Sequence, residues 1–168
     1  MATTEGNYFI HCDAERCLAC KSCLLACAQV HKGDALIPRN SLTSEDGTIR
    51  VVQCRQCEEA ACISACRIRA IKQENGIVKI DEDKCVGCKA CEKACPYSAI
   101  TMAVPYEIPA SDDKKPRPVA LKCDLCTGNT TQVCIAACPT KALSLAQRFY
   151  KLVSVKSKSH IENSVLGG

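Results

Sequence analysis

Sixteen of the 17 cysteines in this chain fall into four quartets: Cys17, Cys20, Cys23 and Cys27; Cys54, Cys57, Cys62 and Cys66; Cys85, Cys88, Cys91 and Cys95; Cys123, Cys126, Cys134 and Cys138. Thiolate sulfur is a soft ligand that suits zinc, copper(I) or iron-sulfur clusters, so the spacing has to choose among them. Structural zinc takes two C-x2-C pairs far apart, or a cysteine pair with a histidine pair. The first and third quartets instead run C-x2-C-x2-C-x3-C, and the last cysteines of the third and fourth are followed by Pro96 and Pro139. Three cysteines at i, i+3 and i+6 converge from one tight loop on three irons of a cubane, and the fourth leaves the loop on a helix. That is the spacing of a 4Fe-4S site, and where two such runs occur together the fourth cysteine ligates the other cluster. Four quartets are therefore ligation for four 4Fe-4S clusters. The C-x3-C-x2-C triplet of a radical enzyme of the S-adenosylmethionine type does not occur.

No second chemistry competes. His11, His31 and His160 have no carboxylate or cysteine partner at catalytic spacing, and His31 closes the first ligand helix, where a positive partial charge suits the C-terminal dipole. There is no G-x-G-x-x-G, P-loop or nucleophile elbow. Cys12, the leftover cysteine, reads as a small buried residue, as free cysteines usually are. Clusters without a substrate-pocket motif make a conductor, because the cofactor carries the redox chemistry and the protein sets its position and potential. The isolated chain is expected to catalyse nothing specific. Three roles fit: a tightly held electron-transfer subunit, a free diffusible polyferredoxin, or a scaffold in which clusters only staple the fold.

The elements that must position these cysteines are written as a duplication. Residues 13–27, DAERCLACKSCLLAC, match residues 81–95, DEDKCVGCKACEKAC. Residues 53–71, QCRQCEEAACISACRIRAI, match residues 122–143, KCDLCTGNTTQVCIAACPTKAL, with three residues inserted before the third cysteine. The repeated unit is thus a pair of motifs, roughly seventy residues long. Alanine precedes the last cysteine in every run, at Ala26, Ala65, Ala94 and Ala137, which suggests that a larger side chain would meet a cluster. Short helices are expected after the ligand loops, over residues 22–30 and again over 62–67. A hairpin is expected from residues 70–73 and 77–80 around Asn75-Gly76, and a weaker one around Asp46-Gly47 leading into residues 49–52. Residues 32–45 and 104–118 read as excursions, the second, with its charged run SDDKKPR, as a solvated crossover. Residues 139–168 carry five Lys or Arg against one Glu, with enough apolar side chains to pack on their own domain or on a partner.

Composition narrows the class. The chain has 168 residues and is 47% hydrophobic, but that figure counts the cysteines, and there are no Trp, two Phe and four Tyr. Large side chains are scarce, so the clusters must serve as core and crosslink, and the apoprotein should be largely unfolded. No positive, apolar or twin-arginine leader opens the sequence and no run approaches the ~18 apolar residues of a membrane span, so a cytoplasmic protein without a direct span is expected. The formal charge is +4 with thiols counted neutral. Each oxidised 4Fe-4S unit with four thiolates adds roughly −2, which makes the loaded protein mildly acidic and removes the case for a nucleic-acid binder.

The stretched intervals of the second and fourth motifs, C-x2-C-x4-C-x3-C and C-x2-C-x7-C-x3-C, taken in this order with QCRQC and KCDLC, carry a family resemblance. The chain resembles the four-cluster ferredoxin-like electron-transfer subunits of dimethyl sulfoxide reductases, formate dehydrogenases, formate hydrogenlyase and carbon monoxide dehydrogenase partners, over roughly residues 9–145, as a compact cytoplasmic member. The resemblance implies an α+β fold of two bacterial ferredoxin-like domains, each for two clusters, one inserted in the other. Residues 1–50 and 119–168 would form the outer domain with motifs one and four, and residues 51–118 the inner domain with motifs two and three. It also implies the ligand sets: Cys17, Cys20 and Cys23 with Cys138; Cys123, Cys126 and Cys134 with Cys27; Cys54, Cys57 and Cys62 with Cys95; and Cys85, Cys88 and Cys91 with Cys66. Ala28 and Arg67 stand where proline is frequent in the family, and no ligand is replaced by Trp or Asp, so no three-iron cluster is expected. The partners implied are a catalytic oxidoreductase subunit and a second redox subunit or ferredoxin. A tungsten or molybdenum enzyme acting on aldehydes or formate is preferred, with carbon monoxide dehydrogenase or hydrogenase as the alternative. The basic, apolar tail adds the expectation of self-association into a chain or filament.

Overall fold

The computed structural model describes residues 8–31, 37–104 and 117–147. Residues 105–116 of the solvated crossover expected over 104–118, residues 148–168 of the tail 139–168 with His160, and residues 32–36 of the 32–45 excursion lie outside the described residues. The order of elements is β1 (Tyr8–Cys12), α1 (Ser22–Val30), β2 (Ser41–Glu45), β3 (Thr48–Val52), α2 (Ala61–Ala65), β4 (Ile71–Glu74), β5 (Ile77–Ile80), α3 (Ala90–Ala94), β6 (Thr101–Ala103), β7 (Val119–Leu121), α4 (Val133–Ala136) and β8 (Leu143–Gln147). This is a small α+β fold. None of its helices is long and apolar enough to cross a membrane among the described residues.

Among the described residues the four sheets are two-stranded and antiparallel, pairing β1 with β8, β2 with β3, β4 with β5 and β6 with β7. Two are local hairpins with two-residue turns. Asn75 and Gly76 take φ of 52° and 76°, and Asp46 and Gly47 take 50° and 75°. Positive φ at both central residues matches the right-handed twist of the strands, which is why Asn-Gly and Asp-Gly are favoured there. Both hairpins were expected, although the first pairs Ile71–Glu74 rather than residues 70–73, and the second begins inside the presumed excursion, at Ser41. The other two sheets are non-local. β1 pairs with β8, from Tyr8 opposite Gln147 to Cys12 opposite Leu143, so the start of the tail is a strand of the fold.

The helices pack as they pair by motif, α1 against α4 and α2 against α3. Two small apolar cores result. One gathers Ile71, Val78, Ile100 and Val119–Leu121 with cysteines of motifs two and three: Cys85, Cys91, Cys57, Cys62, Cys66 and Cys95. The other gathers Ile10, Val51, Leu125 and Leu143 with Cys23, Cys134, Cys17, Cys123 and Cys138 of motifs one and four. Both cores are built of small and medium aliphatic side chains, with cysteine thiols packed among and around them.

Candidate iron-sulfur sites

Each ligand loop is wound by a left-handed residue just before its second cysteine: Ala19 (φ 54°), Gln56 (47°), Gly87 (71°) and Leu125 (57°). Alternating hands along a short loop turns successive main-chain N–H groups to one side, making a concavity that suits an anion and is common at iron-sulfur sites. Lys21 and Lys89 repeat the device at the N-terminal caps of α1 and α3, with φ of 63° and 60°. At Gly87 the demand goes beyond φ, because a Cβ there would lie 2.3 Å from the Pro118 carbonyl oxygen. Only glycine fits.

The last cysteine of three motifs ends its helix in the same way. Cys66, Cys95 and Cys138 are each followed, at the third residue, by a left-handed turn at Arg69, Ser98 and Lys141. The next residue, an alanine each time, donates its N–H to that cysteine's sulfur: Ala70 to Cys66 at 3.3 Å, Ala99 to Cys95 at 3.5 Å and Ala142 to Cys138 at 3.3 Å. Arg67 in place of proline leaves this turn intact after Cys66. Motif one departs. Helix α1 runs past Cys27 to Val30, and its Sγ is instead reached by the main-chain N–H of Arg39 at 3.3 Å. Gln56 N–H to Cys54 at 3.4 Å and Ala120 N–H to Cys85 at 3.4 Å add two more donors to sulfur.

Two cavities are lined by four cysteines each. One is walled by Cys17, Cys20, Cys23 and Cys138, with Leu18, Leu42, Val51 and Leu143 around them. The other is walled by Cys66, Cys85, Cys88 and Cys91, with Ile68, Ile71, Ile80 and Met102. Burial and neighbouring thiols act on several of the other cysteines. Burial pushes Cys62 up to about 11, with Cys54 and Cys95 adding repulsion, and pushes Cys134 up to about 12, with Cys126, Cys27 and Cys23 adding to it. Burial likewise raises Cys126, with Asp124 and Cys27 contributing, and Cys123, with Cys54 and Cys134 contributing. Cys23 is pushed up to about 11 by burial, with Cys138 and Cys20 behind it. Crowded, desolvated thiols of this kind are poor thiolates by themselves and need a cationic metal core to offset their charge.

The donor set fits clusters better than single ions. A tetrahedral zinc with Zn–S of about 2.3 Å needs sulfurs about 3.8 Å apart. Among the described residues, no three His, Cys, Asp or Glu side chains are grouped to hold one metal ion. A cubane asks less of the apoprotein, since each cysteine binds a different iron.

His31 has no carboxylate partner at catalytic spacing in the sequence, and folding brings one from 93 positions away. Its Nε2 lies 3.4 Å from Asp124 Oδ1, and its Nδ1 is 2.8 Å from the Cys27 carbonyl oxygen and 3.8 Å from Cys27 Sγ. The hydrogen bond to Asp124, followed by that to Cys27, raises His31 to about 10, so the imidazolium persists at neutral pH beside the Cys27 sulfur. Arg39 extends the group, reaching Asp124 Oδ2 at 3.3 Å and Glu82 Oε1 at 2.9 Å. Cys12 is half-buried rather than buried, on β1 and packed beside Cys17 and Cys138.

Comparison with known proteins adds names to this geometry. A 4Fe-4S binding domain family matches residues 78–101, around the third motif. An iron-sulfur protein of Rhodospirillum rubrum is 41% identical over 162 residues, covering 86% of this chain and 85% of its own. The electron transport protein HydN of Escherichia coli is 34% identical over 156 residues, covering 84% and 89%. Formate hydrogenlyase subunit 2 of the same organism is 33% identical over 165 residues, covering 83% and 81%.

Proposed function

The chain belongs to the family of 4Fe-4S electron-transfer proteins that includes HydN and formate hydrogenlyase subunit 2, and from that membership we propose that it is a non-catalytic relay carrying electrons through four 4Fe-4S clusters. One end serves a catalytic oxidoreductase subunit and the other a second redox subunit or carrier, in the cytoplasm. The preferred catalytic partner is a tungsten or molybdenum enzyme acting on formate or an aldehyde. When bound, each cluster supplies a one-electron couple, and everything else is done by the polypeptide.

The observation that carries the reading is that two cavities are each walled by four cysteines drawn from two different motifs. They support two ligand sets, Cys17, Cys20, Cys23 with Cys138 and Cys85, Cys88, Cys91 with Cys66. The packing of α2 on α3 and of α1 on α4 favours the other two, Cys54, Cys57, Cys62 with Cys95 and Cys123, Cys126, Cys134 with Cys27. The β1–β8 pair and the α1–α4 and α2–α3 packing favour one unit nested in the other. Val51 lies in the outer core and Val119–Leu121 in the inner one, so we draw the inner unit as residues 53–121. The cysteines also grade by depth. Cys20 and Cys88 are exposed, beside Leu18 and Val86, which are 71% and 54% exposed, whereas Cys54, Cys126 and Cys134 are buried. Cys20 and Cys88 thus mark the sites of their two sets as the candidate ports for partners.

Anaerobic reconstitution tests the count: about sixteen irons per chain are expected, with only 4Fe-4S signals on reduction. A stable count near eight, or bound zinc, refutes it. Co-purification with a catalytic subunit at fixed stoichiometry through high salt tests the relay, since a free carrier dissociates under those conditions.

A further inference from the structure

Lys122 is 3% exposed, an unusual place for an ammonium. Its Nζ donates to the carbonyl oxygens of Val78 and of Cys123, the latter at 3.0 Å. Gln56 spans the same two residues, giving its Nε2–H to the Cys123 carbonyl at 2.9 Å and accepting the Val78 N–H at 2.9 Å. Gln56 sits between Cys54 and Cys57, and Lys122 immediately precedes Cys123. The ammonium is therefore held where the ligand loop of motif two meets the ligand loop of motif four.

The cavity beside Lys122 is also lined by Arg39, Glu82 and Asp124. Both carboxylates are engaged by Arg39, at 2.9 and 3.3 Å. Among the described residues, Lys122 has carbonyl oxygens and no ion-pair partner. A buried cation without an anion is strongly disfavoured, and a structure that keeps one needs negative charge nearby.

We propose that Lys122 is a positioning charge that raises the reduction potentials of two clusters, the one in the Cys54, Cys57, Cys62, Cys95 set and the one in the Cys27, Cys123, Cys126, Cys134 set. The inference rests on the four-cluster reading above. The couple concerned is the one-electron reduction of a bound 4Fe-4S cluster, the electron coming from dithionite-poised mediators. No bond is made or broken. The added negative charge is stabilised by a fixed ammonium in a water-poor seam, so these two sites accept electrons that would otherwise stay at the other two. A unit charge roughly 10 Å away in a medium of effective dielectric about 20 changes such an equilibrium by about tenfold.

The test is a potentiometric titration of the loaded protein followed by electron paramagnetic resonance, on Lys122→Met and Lys122→Gln. Iron is counted on each sample, and a wild-type count near eight would refute the four-cluster reading independently of this inference. With about sixteen irons retained, both variants should show the reduced-to-oxidised ratio of two signals falling about tenfold at fixed potential, which is 59 mV for a one-electron couple. The other two signals should stay in place. Gln keeps a donor for the carbonyls but no charge, so a shift in Met alone would assign the effect to hydrogen bonding and overturn the proposal. Equal shifts in all four signals, or none, would overturn it as well. If neither neutral variant loads, Lys122→Arg decides: wild-type iron and ratios support the role of charge, and failure to load assigns the residue to packing.

Discussion

Gln53 and Gln56 form a natural pair for testing how the two units are held together. Both are buried, 3% and 0% exposed, three positions apart in the same loop. The Gln56 amide makes two hydrogen bonds of 2.9 Å, one to the Cys123 carbonyl and one from the Val78 N–H. Val78 is fully buried on a two-stranded sheet, so no third strand is available for its outward groups. Gln56→Met removes both bonds. The Cys123 carbonyl keeps Lys122, but the Val78 N–H is orphaned. Two net hydrogen bonds at about 1 kcal/mol each, plus about 1–3 kcal/mol for one unsatisfied buried donor, give a loss of about 3–5 kcal/mol. Gln53 differs, because its Nε2–H reaches the Ile10 carbonyl at a long 3.3 Å and its Oε1 has no partner among the described residues. Gln53→Met removes an unsatisfied acceptor along with one weak bond, so its cost should stay below about 1 kcal/mol. Cluster loss makes unfolding irreversible, so a rate is the proper readout. Bleaching of the visible absorbance is followed anaerobically at fixed guanidinium chloride. If the seam opens before the clusters are lost, Gln56→Met should bleach at least about a hundredfold faster than wild type, and Gln53→Met within about fivefold of it. Equal acceleration by the two variants would refute the reasoning, since it would show that buried amides matter by volume and not by the groups they satisfy.

Cys138→Ala should damage the site of Cys17, Cys20 and Cys23, far away in sequence, and spectroscopic loss confined to the site of Cys123, Cys126 and Cys134 would break the proposed pairing. Gly87→Ala should lower iron content by one cluster and destabilise by more than the ~1–2 kcal/mol of left-handed strain alone, because the Pro118 carbonyl lies 2.3 Å from the new methyl; iron analysis and the same bleaching assay check it. Arg39→Ala removes two ion pairs that join Glu82 to Asp124, and with the Arg39 side chain 16% exposed a cost of about 1–3 kcal/mol is expected in the bleaching rate. A truncation after Gln147 keeps every residue of β8; it should retain its iron and, if the tail is adhesive, lose the larger species in light scattering.

The cysteine chemistry was legible from the chain because each ligand loop is a local device. Three cysteines, a left-handed turn and a short helix fit within 10 to 14 residues, and the duplication writes the pattern twice. Local hairpins were legible for the same reason, through Asn75-Gly76 and Asp46-Gly47, whose positive φ is a property of those residues. Helix α1 over Ser22–Val30 matched its expected span, while α2 came out as Ala61–Ala65 because Cys66 turns away to take an N–H from Ala70. Proline after the last cysteine proved an unreliable guide, since Cys66 makes that turn with Arg67 and Cys27, followed by Ala28, does not. What depends on distant partners had no local signature. The β1–β8 pairing makes the first residues of an apparent tail part of the sheet, and no period-2 pattern over five residues could name a partner more than 130 positions away. His31 looked alone until folding brought Asp124 to 3.4 Å, and Gly87 looked like any loop glycine until Pro118 lay across it. Lys122 is the sharpest case: in the sequence it is one basic residue before a cysteine, and only the tertiary structure buries its ammonium between two ligand loops, where the dielectric is low enough for one charge to matter.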